Sequence, residues 1–326
     1  MRTRPLLIAS ATLLLLLVAT YVTYSVQTGG TFAAAEGELG DRASLLAQSL
    51  DRLLQSRMVE TFTLAALPSM RGFAASDEAT RPQRLAIARV ELQSAVDADP
   101  NIRAGMIVDP TGYVSLATDD SIGQNYGDRI FVRQALQGQL YASPPAQDSG
   151  EISQYYTAPI LNNAGDVAGV LVLRVAVQEM WGLVNTQTDV QVVDENGVLI
   201  ADHSASPQLF VSLMPISDTE KTRLLDEKHY GTRVVQIFAI NAPVLAQAVR
   251  ADNEKPFVYR DAKGRALIGV VRRLKVNGWS VVAFTSQDSV LQNARNAFLT
   301  SLAFGLFVLF ATAGFFVARS IWGTRS

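Results

Sequence analysis

From Pro5 to Ala35, and again from Asn296 to Ala318, the chain carries no charged residue. Each run supplies the ~20 apolar residues that a helix needs to cross a bilayer, so whatever folds between them is tethered at both ends. Arg2 and Arg4 precede the first run, with no further Lys or Arg until Arg42, while Arg319 and Arg325 follow the second. That bias puts both termini in the cytoplasm and the middle of the chain outside it. The expected organisation is a cytoplasmic N-terminus at 1–4, a transmembrane helix at 5–26, a second at 296–318 and a short cytoplasmic tail at 319–326. A cleavable signal peptide ending near Ala33-Ala34-Ala35 is the other reading of the first run. Its length exceeds the usual apolar core of about 7 to 15 residues, which favours an uncleaved anchor.

The 326 residues are 48% hydrophobic and 18% charged, enough to bury a sizeable core, and a net charge of -2 excludes the basic footprint of a nucleic-acid binder. The absence of cysteine removes disulfides, thiolate metal sites and cysteine nucleophiles together. It also agrees with an oxidising envelope compartment.

Behind the first span, residues 36–103 read as helical. Leu46, Leu50, Leu53, Leu54 and Met58 recur at three- and four-residue steps as far as Pro68, and a second helical pattern runs from Pro82 to Ala98 before Asp99-Pro100-Asn101. The first reads as a stalk that continues the membrane helix and pairs with its copy in a homodimer. Packing on its own domain is a second reading, compatible with the first.

From Ala104 to Val177 the pattern changes to strands. Met106-Ile107-Val108 and Tyr113-Val114-Ser115-Leu116 flank Asp109-Pro110-Thr111-Gly112, a hairpin turn, and a second strand pair brackets Asn162-Asn163-Ala164-Gly165. A short helix lies between. The product is a small antiparallel sheet with one face covered by helix and a concave, half-polar pocket. The first turn recurs as Val192-Val193-Asp194-x-x-Gly197-x-Leu199, and Gly165-x-x-x-Gly169-Val170 recurs loosely as Gly264-x-x-x-x-Gly269-Val270. Two paired signals in the same order indicate duplication, with modules at 104–186 and 187–293. The second carries an insert that includes a polar helix near Ser217–Lys228.

Catalytic signatures are missing. His203 and His229 are the two histidines and lie far apart, with no HExxH, GxSxG, GxxxxGK[ST] or GxGxxG. No enzyme, resident metal or cofactor is expected. Asp119/Asp120 and Asp97/Asp99 read as turn residues. A binding site is better supported, because Tyr126, Arg129, Phe131, Tyr141, Tyr155 and Tyr156 gather in about thirty residues, and an Arg fork beside aromatics suits a carboxylate or phosphate. Aromatics in the core with Arg129 capping a helix is the blander alternative.

The order Asp109-x-x-Gly112, Ile122-Gly123-x-x-Tyr126-x-Asp128-Arg129-x-Phe131, Ala135-Leu136-x-Gly138, Ala158-Pro159-Ile160 and Gly165-x-x-x-Gly169-Val170 resembles the double Cache (PAS-like) extracytoplasmic sensor domains of bacterial chemoreceptors and sensor histidine kinases. The resemblance covers roughly residues 36–298. It implies an α+β fold in which a long N-terminal stalk helix carries two tandem PAS-like antiparallel sheets flanked by two transmembrane helices. It places the chain in the bacterial inner membrane with its sensor region periplasmic.

In amino-acid-binding members, an Arg and an aromatic on the short helix hold the ligand carboxylate, while a Tyr-x-Asp and a last-strand Asp hold the ammonium. The resemblance maps these onto Arg129 and Phe131, onto Ala146-x-Asp148 with the Tyr lost, and onto Arg174, where the charge is reversed. A like charge facing an ammonium costs several kcal/mol in a partly dry pocket. The expected ligand is therefore a small anion, an organic acid rather than an amino acid, held between Arg129 and Arg174 with only Asp148 to offset them. Tyr126, Tyr141 and Tyr156 complete the expected site. Tyr259-Arg260-Asp261 and Arg272-Arg273 in the second module read as solvated charge.

Such receptors continue into an output domain, whereas little of this chain follows Arg319. The expectation is a sensor that works through a separate membrane or cytoplasmic signalling partner, or one derived from a longer receptor. A membrane-anchored envelope protein-interaction module with a vestigial pocket is the alternative.

Overall fold

The computed structural model describes residues 3–303 except 149, 204–208, 235, 252–254, 262–263, 297 and 301, with side chains from residue 21 onward. The chain divides into two compact units, one of residues 1–39, 258–269 and 284–326, the other of residues 40–257 and 270–283.

Both sheets have their main strands in the larger unit. Helix α1 (Thr3–Ala65) is continuous from the first apolar run into the stalk. In its second half Leu46, Leu50 and Leu54 are buried and Leu53 and Met58 half-buried, as their spacing requires. Pro68 ends that path and opens α2 (Pro68–Ala74), followed by α3 (Arg81–Ala98). On α3, Ala88 and Leu92 are buried, while Val90, two residues from each, points to solvent.

The first sheet contains β1 (Ile102–Val108), β2 (Val114–Ala117), β3 (Tyr141–Ala142), β4 (Ala146–Asp148), β5 (Glu151–Leu161) and β6 (Val167–Ala176). Its order is β2-β1-β6-β5-β3, with β4 also on β5, and the pairs are antiparallel. Helix α4 (Ile130–Leu136) lies between β2 and β3 in sequence. The sequence predicts one covered face, and the structure covers both. Ile107, Leu116, Ala158 and Leu171 pack on Ala65, Met70, Phe73 and Leu92, while Met106, Val108, Val170 and Val172 pack on Phe131, Val132 and Ala135 of α4. β5 is accordingly buried without a break from Ser153 to Ile160, the signature of a strand covered on both sides.

After α5 (Gln178–Asn185), the second sheet is built from β7 (Val190–Val193) and β8 (Leu199–Asp202), with the short β9 (Val211–Ser212) beyond. The insert supplies α6 (Asp218–Asp226), capped by the Ser217 hydroxyl accepting from the Glu220 amide at 3.2 Å, then β10 (Phe238–Ala239) and α7 (Pro243–Ala251). β11 (Phe257–Arg260), β12 (Ala266–Arg273) and β13 (Ser280–Ser286) follow. In the larger unit β7 lies between β8 and β13, and Ser280 to Ala283 pair with Val193 to Val190.

The duplicated turns share one hydrogen-bond pattern. Asp109 Oδ1 accepts from the amides of Thr111 and Tyr113 at 2.8 and 3.1 Å, and Asp194 Oδ1 accepts from Asn196 and Val198 at 2.9 and 2.8 Å. Asn162 Oδ1 repeats this with the amides of Ala164 and Asp166. Gly112 closes the first turn at φ +94°, where a Cβ would fall 2.6 Å from the Gly127 Cα.

In the smaller unit the Tyr24 and Phe298 rings meet edge to face, centroids 5.3 Å apart. Among the described residues no helix is long and apolar enough to cross a membrane. The expected spans at 5–26 and 296–318 fall largely outside the described side chains.

Candidate ligand-binding site

Arg129 sits at the N-cap of α4, in extended backbone, and its side chain turns under the sheet. It is 5% exposed. Its guanidinium lies 5.2 Å from the Tyr126 ring centroid and 6.0 Å from that of Phe131. Phe131 stacks on Tyr155 at 4.5 Å with an 8° interplanar angle. Arg129 Nη2 donates to Asp148 Oδ1 at 3.1 Å, and Nη1 lies 3.4 Å from Oδ2. Asp148 also accepts from the Tyr155 hydroxyl at 2.8 Å, and from the Thr232 amide and hydroxyl, both at 2.8 Å. Burial pushes the Asp148 carboxyl up, but the Arg129 charge, the Thr232 amide and the Tyr155 hydroxyl outweigh it and hold the group below the usual carboxylate range. Burial, reinforced by the Asp148 charge, raises the Tyr155 phenol well above its ordinary value.

The expected residues divide. Tyr126, Arg129, Phe131 and Asp148 come together, joined by Tyr155. Tyr141, paired with Thr157 on β5, packs at the edge of the same aromatic cluster. Burial raises its phenol, and the carboxylates of Glu195, Asp194 and Glu227 add to the effect, so it borders the second module. Tyr156 lies on the opposite face. Side chains alternate along a strand, and its hydroxyl donates to Gln154 Oε1 at 3.2 Å, away from Arg129. Burial raises its phenol also, with Glu179 the nearby carboxylate and Arg57 opposing.

Arg174 stands directly across from Tyr155 in the β5–β6 register. Its partner corrects the expected charge balance. Arg174 Nη2 bridges Asp119 Oδ2 at 3.3 Å, so each of the two arginines has its own carboxylate. The Asp119 segment, read as a turn, folds back onto the sheet face. Yet both guanidiniums keep an unused donor, for the Nε of Arg129 and the Nε of Arg174 are buried without an acceptor.

The concave pocket expected here is closed by residues 227–233, which sequence reading left out of the site. The Gln147 amide donates to the Tyr230 carbonyl at 2.8 Å, and the Arg233 amide donates to the Gln147 carbonyl at 3.0 Å. Between these bonds Gly231 adopts φ +93°, and a Cβ there would lie 2.3 Å from the Gln147 oxygen. Arg129 Nη1 reaches the Lys228 carbonyl at 3.5 Å, Lys228 pairs with Asp128, and Arg133 pairs with Glu227 at 2.5 Å. Gly231 and the polar run after α6 were the available signals, but a contact across some eighty residues has no local periodicity.

One group among the described residues has metal-ligand composition, Asp194, Glu195 and His229, with candidate atoms within 4.8 Å of one another. Its oxygens are already engaged: Asp194 accepts from two turn amides and from the Tyr230 hydroxyl at 2.5 Å, and Glu195 from Trp279 Nε1 at 2.8 Å. It is a hydrogen-bonded cluster in which Asp194 and His229 are buried and Glu195 is exposed.

No protein-family profile and no curated protein matches the sequence. The fold is that of double Cache extracytoplasmic sensor domains. Among solved structures, the chain is similar to the sensor domain of the V. cholerae histidine kinase DctB, with a TM-score of 0.64 and 14% identity over 78% of this chain and 98% of that one. It is also similar to the sensory domain of the Campylobacter jejuni chemoreceptor Tlp3, with a TM-score of 0.58 and 14% identity over 82% and 99%. The same Tlp3 domain solved with L-valine matches at a TM-score of 0.55 and 14% identity over 82% and 98%.

Proposed function

We propose that this chain is the extracytoplasmic input of a signal-transduction system, anchored in the bacterial inner membrane by helices at 5–26 and 296–318, and that its first module binds a small anionic metabolite. The observation that carries the ligand class is the pair of guanidiniums of buried Arg129 and half-buried Arg174, each with a buried Nε–H lacking an acceptor. An unmet buried donor costs about 1–3 kcal/mol, and an anion reaching both would recover it. Tlp3 has been solved with the amino acid L-valine. Here Arg174 occupies the position that the resemblance assigns to an ammonium-binding carboxylate, so an organic acid suits the site better than an amino acid. Exposed Tyr21, Val22 and Val26 at the end of the first run and Leu299 near the second support burial in a bilayer. Exposed Leu45 and Val59 on α1, two heptads apart, support a homodimer along the stalk.

Titration calorimetry of the full chain in detergent micelles, against organic acids and free amino acids, tests this. A dicarboxylate or monocarboxylate should bind, with affinity lost in Arg129→Gln and reduced in Arg174→Ala. Tight binding of a free amino acid, undiminished in Arg174→Ala, overturns it.

The closed site gives a second reading some support. Exposed Ile87 and Val90 on α3 would serve a membrane-anchored protein-interaction module whose pocket is vestigial, and that reading expects no anion to bind.

A further inference from the structure

We propose that the second module has a ligand site of its own, a cavity beside α7 that takes a small uncharged primary amide. The site is separate from the arginine pair of the first module and does not depend on it.

The cavity holds about 100 Å³ and is lined by the turn at 194–197, by residues of the 213–216 segment, by α7 and by the β12–β13 connection. A water molecule occupies about 30 Å³ of the liquid, so there is room for a molecule of a few heavy atoms. Leu213, Met214, Ile216, Ala246 and Val249 give it apolar walls.

Three polar groups on the lining have hydrogen-bonding capacity that the described residues leave unused. Ser280 is 1% exposed, and its hydroxyl makes no hydrogen bond. Arg250, in the last turn of α7, has no acceptor and no counter-ion. Glu195 Oε2 accepts from Trp279 Nε1, but Oε1 has no donor. The group facing Oε1 is His229 Nε2, 3.5 Å away, and that nitrogen is itself an acceptor. Asn196 Nδ2 lies 3.1 Å from it and 3.3 Å from Asp194 Oδ2, while Asn196 Oδ1 takes Arg223 Nη2 at 3.4 Å, which fixes the amide's orientation. The other two charged side chains on the lining are engaged. Asp194 holds its turn, and Arg273 Nε donates to the Gly278 carbonyl at 3.3 Å.

The lining therefore offers one acid and one base that lack partners. An anion would satisfy Arg250 but meet Glu195, and a cation would do the reverse, each with a like-charge cost. A primary amide carries no net charge. Its N–H donates to Glu195 Oε1, its carbonyl accepts from Arg250, and the Ser280 hydroxyl can turn to serve either end. The amide dipole, about 3.5 D, then runs from the base to the acid.

Ligand-observed NMR on the full chain in detergent micelles, with empty micelles as the blank, tests the site. Propionamide should bind saturably, and N,N-dimethylacetamide, which has no N–H, should not. Arg250→Met and Ser280→Ala remove groups with no partner among the described residues, so both should keep the wild-type Tm while weakening propionamide at least fivefold. Propionate, taken by the first module, should keep its affinity in Arg250→Met. Absence of propionamide binding overturns the site, as does binding that survives both substitutions or that N,N-dimethylacetamide matches. Loss of propionate affinity in Arg250→Met would mean that the cavity takes anions, and would overturn the uncharged class.

Discussion

The hydroxyl of Tyr155 donates to the carboxylate of Asp148 at 2.8 Å, while the ring that carries it lies flat on Phe131. One side chain therefore serves the apolar core and the charged site together. Tyr155→Phe keeps the stacking and removes one donor from a carboxylate that is mostly buried. The expected loss is about 1–2 kcal/mol of stability, read as a lower Tm in thermal unfolding. Asp148→Asn should cost more, because it leaves Arg129 buried without its counter-ion.

Asp194 and Asp148 impose opposite pH dependences. Burial, with Glu195 adding to it, raises the Asp194 carboxyl to about 6 against the lowering influence of His229. A carboxyl whose folded pKa is raised binds more protons folded than unfolded, so stability is highest below the unfolded value near 4 and falls as pH rises toward 6. Asp148, held low, contributes stability that is present above its unfolded value and is lost on acidification below about 4. Urea unfolding between pH 4 and 6.5 should show stability falling by roughly 2 kcal/mol from Asp194. Asp194→Asn, which keeps the acceptor for the turn amides, should flatten that fall. A slope unchanged in Asp194→Asn would assign it to other groups.

Local chemistry made part of this structure readable in advance. The Asp109–Gly112 and Asp194–Gly197 turns, the buried stripe of α1 and the strands on either side of Asn162–Gly165 all follow from spacing and turn residues within a few positions. Arg129 and Phe131 were picked out because they sit among aromatics close in sequence, whereas Asp148 entered only through the resemblance, at the position of its Tyr-x-Asp. Tyr156 was misplaced because a run of aromatics in a doubly covered strand does not disclose which residue faces which layer. Asp119 and Thr232 went unrecognised as site residues because their partners, Arg174 and Asp148, are reached through loops, and nothing periodic in the chain records a loop's return.

Arg57 on α1 is held by three carboxylates, Glu60 at 2.7 Å, Asp99 at 2.7 Å and Glu179 at 2.8 Å, on the sheet face that Tyr156 shares. Burial opposes its charge, but the hydrogen bonds to those three acids outweigh it and raise its pKa further. Arg57→Met should destabilise by about 2–3 kcal/mol, below the buried-pair range because the acids are partly solvated. Glu60→Gln should cost under about 1 kcal/mol, since the other two partners remain. Chemical denaturation of both variants checks the contrast. Equal costs would mean that Arg57 acts through its aliphatic stem.

Gly112 and Gly123 both adopt positive φ, at +94° and +82°, but in different surroundings. A Cβ at Gly123 meets nothing within 4 Å, whereas one at Gly112 meets the Gly127 backbone at 2.6 Å. Gly123→Ala carries only the left-handed backbone penalty of about 1–2 kcal/mol. Gly112→Ala adds a clash with main chain that no side-chain rotation relieves, and it prises the first hairpin away from the segment leading to Arg129. Its Tm should fall further than that of Gly123→Ala. Anion affinity should fall with it, because the tyrosine and arginine at 126 and 129 follow directly from that contact. If Gly112→Ala matched Gly123→Ala in both measurements, the hairpin would not position the site.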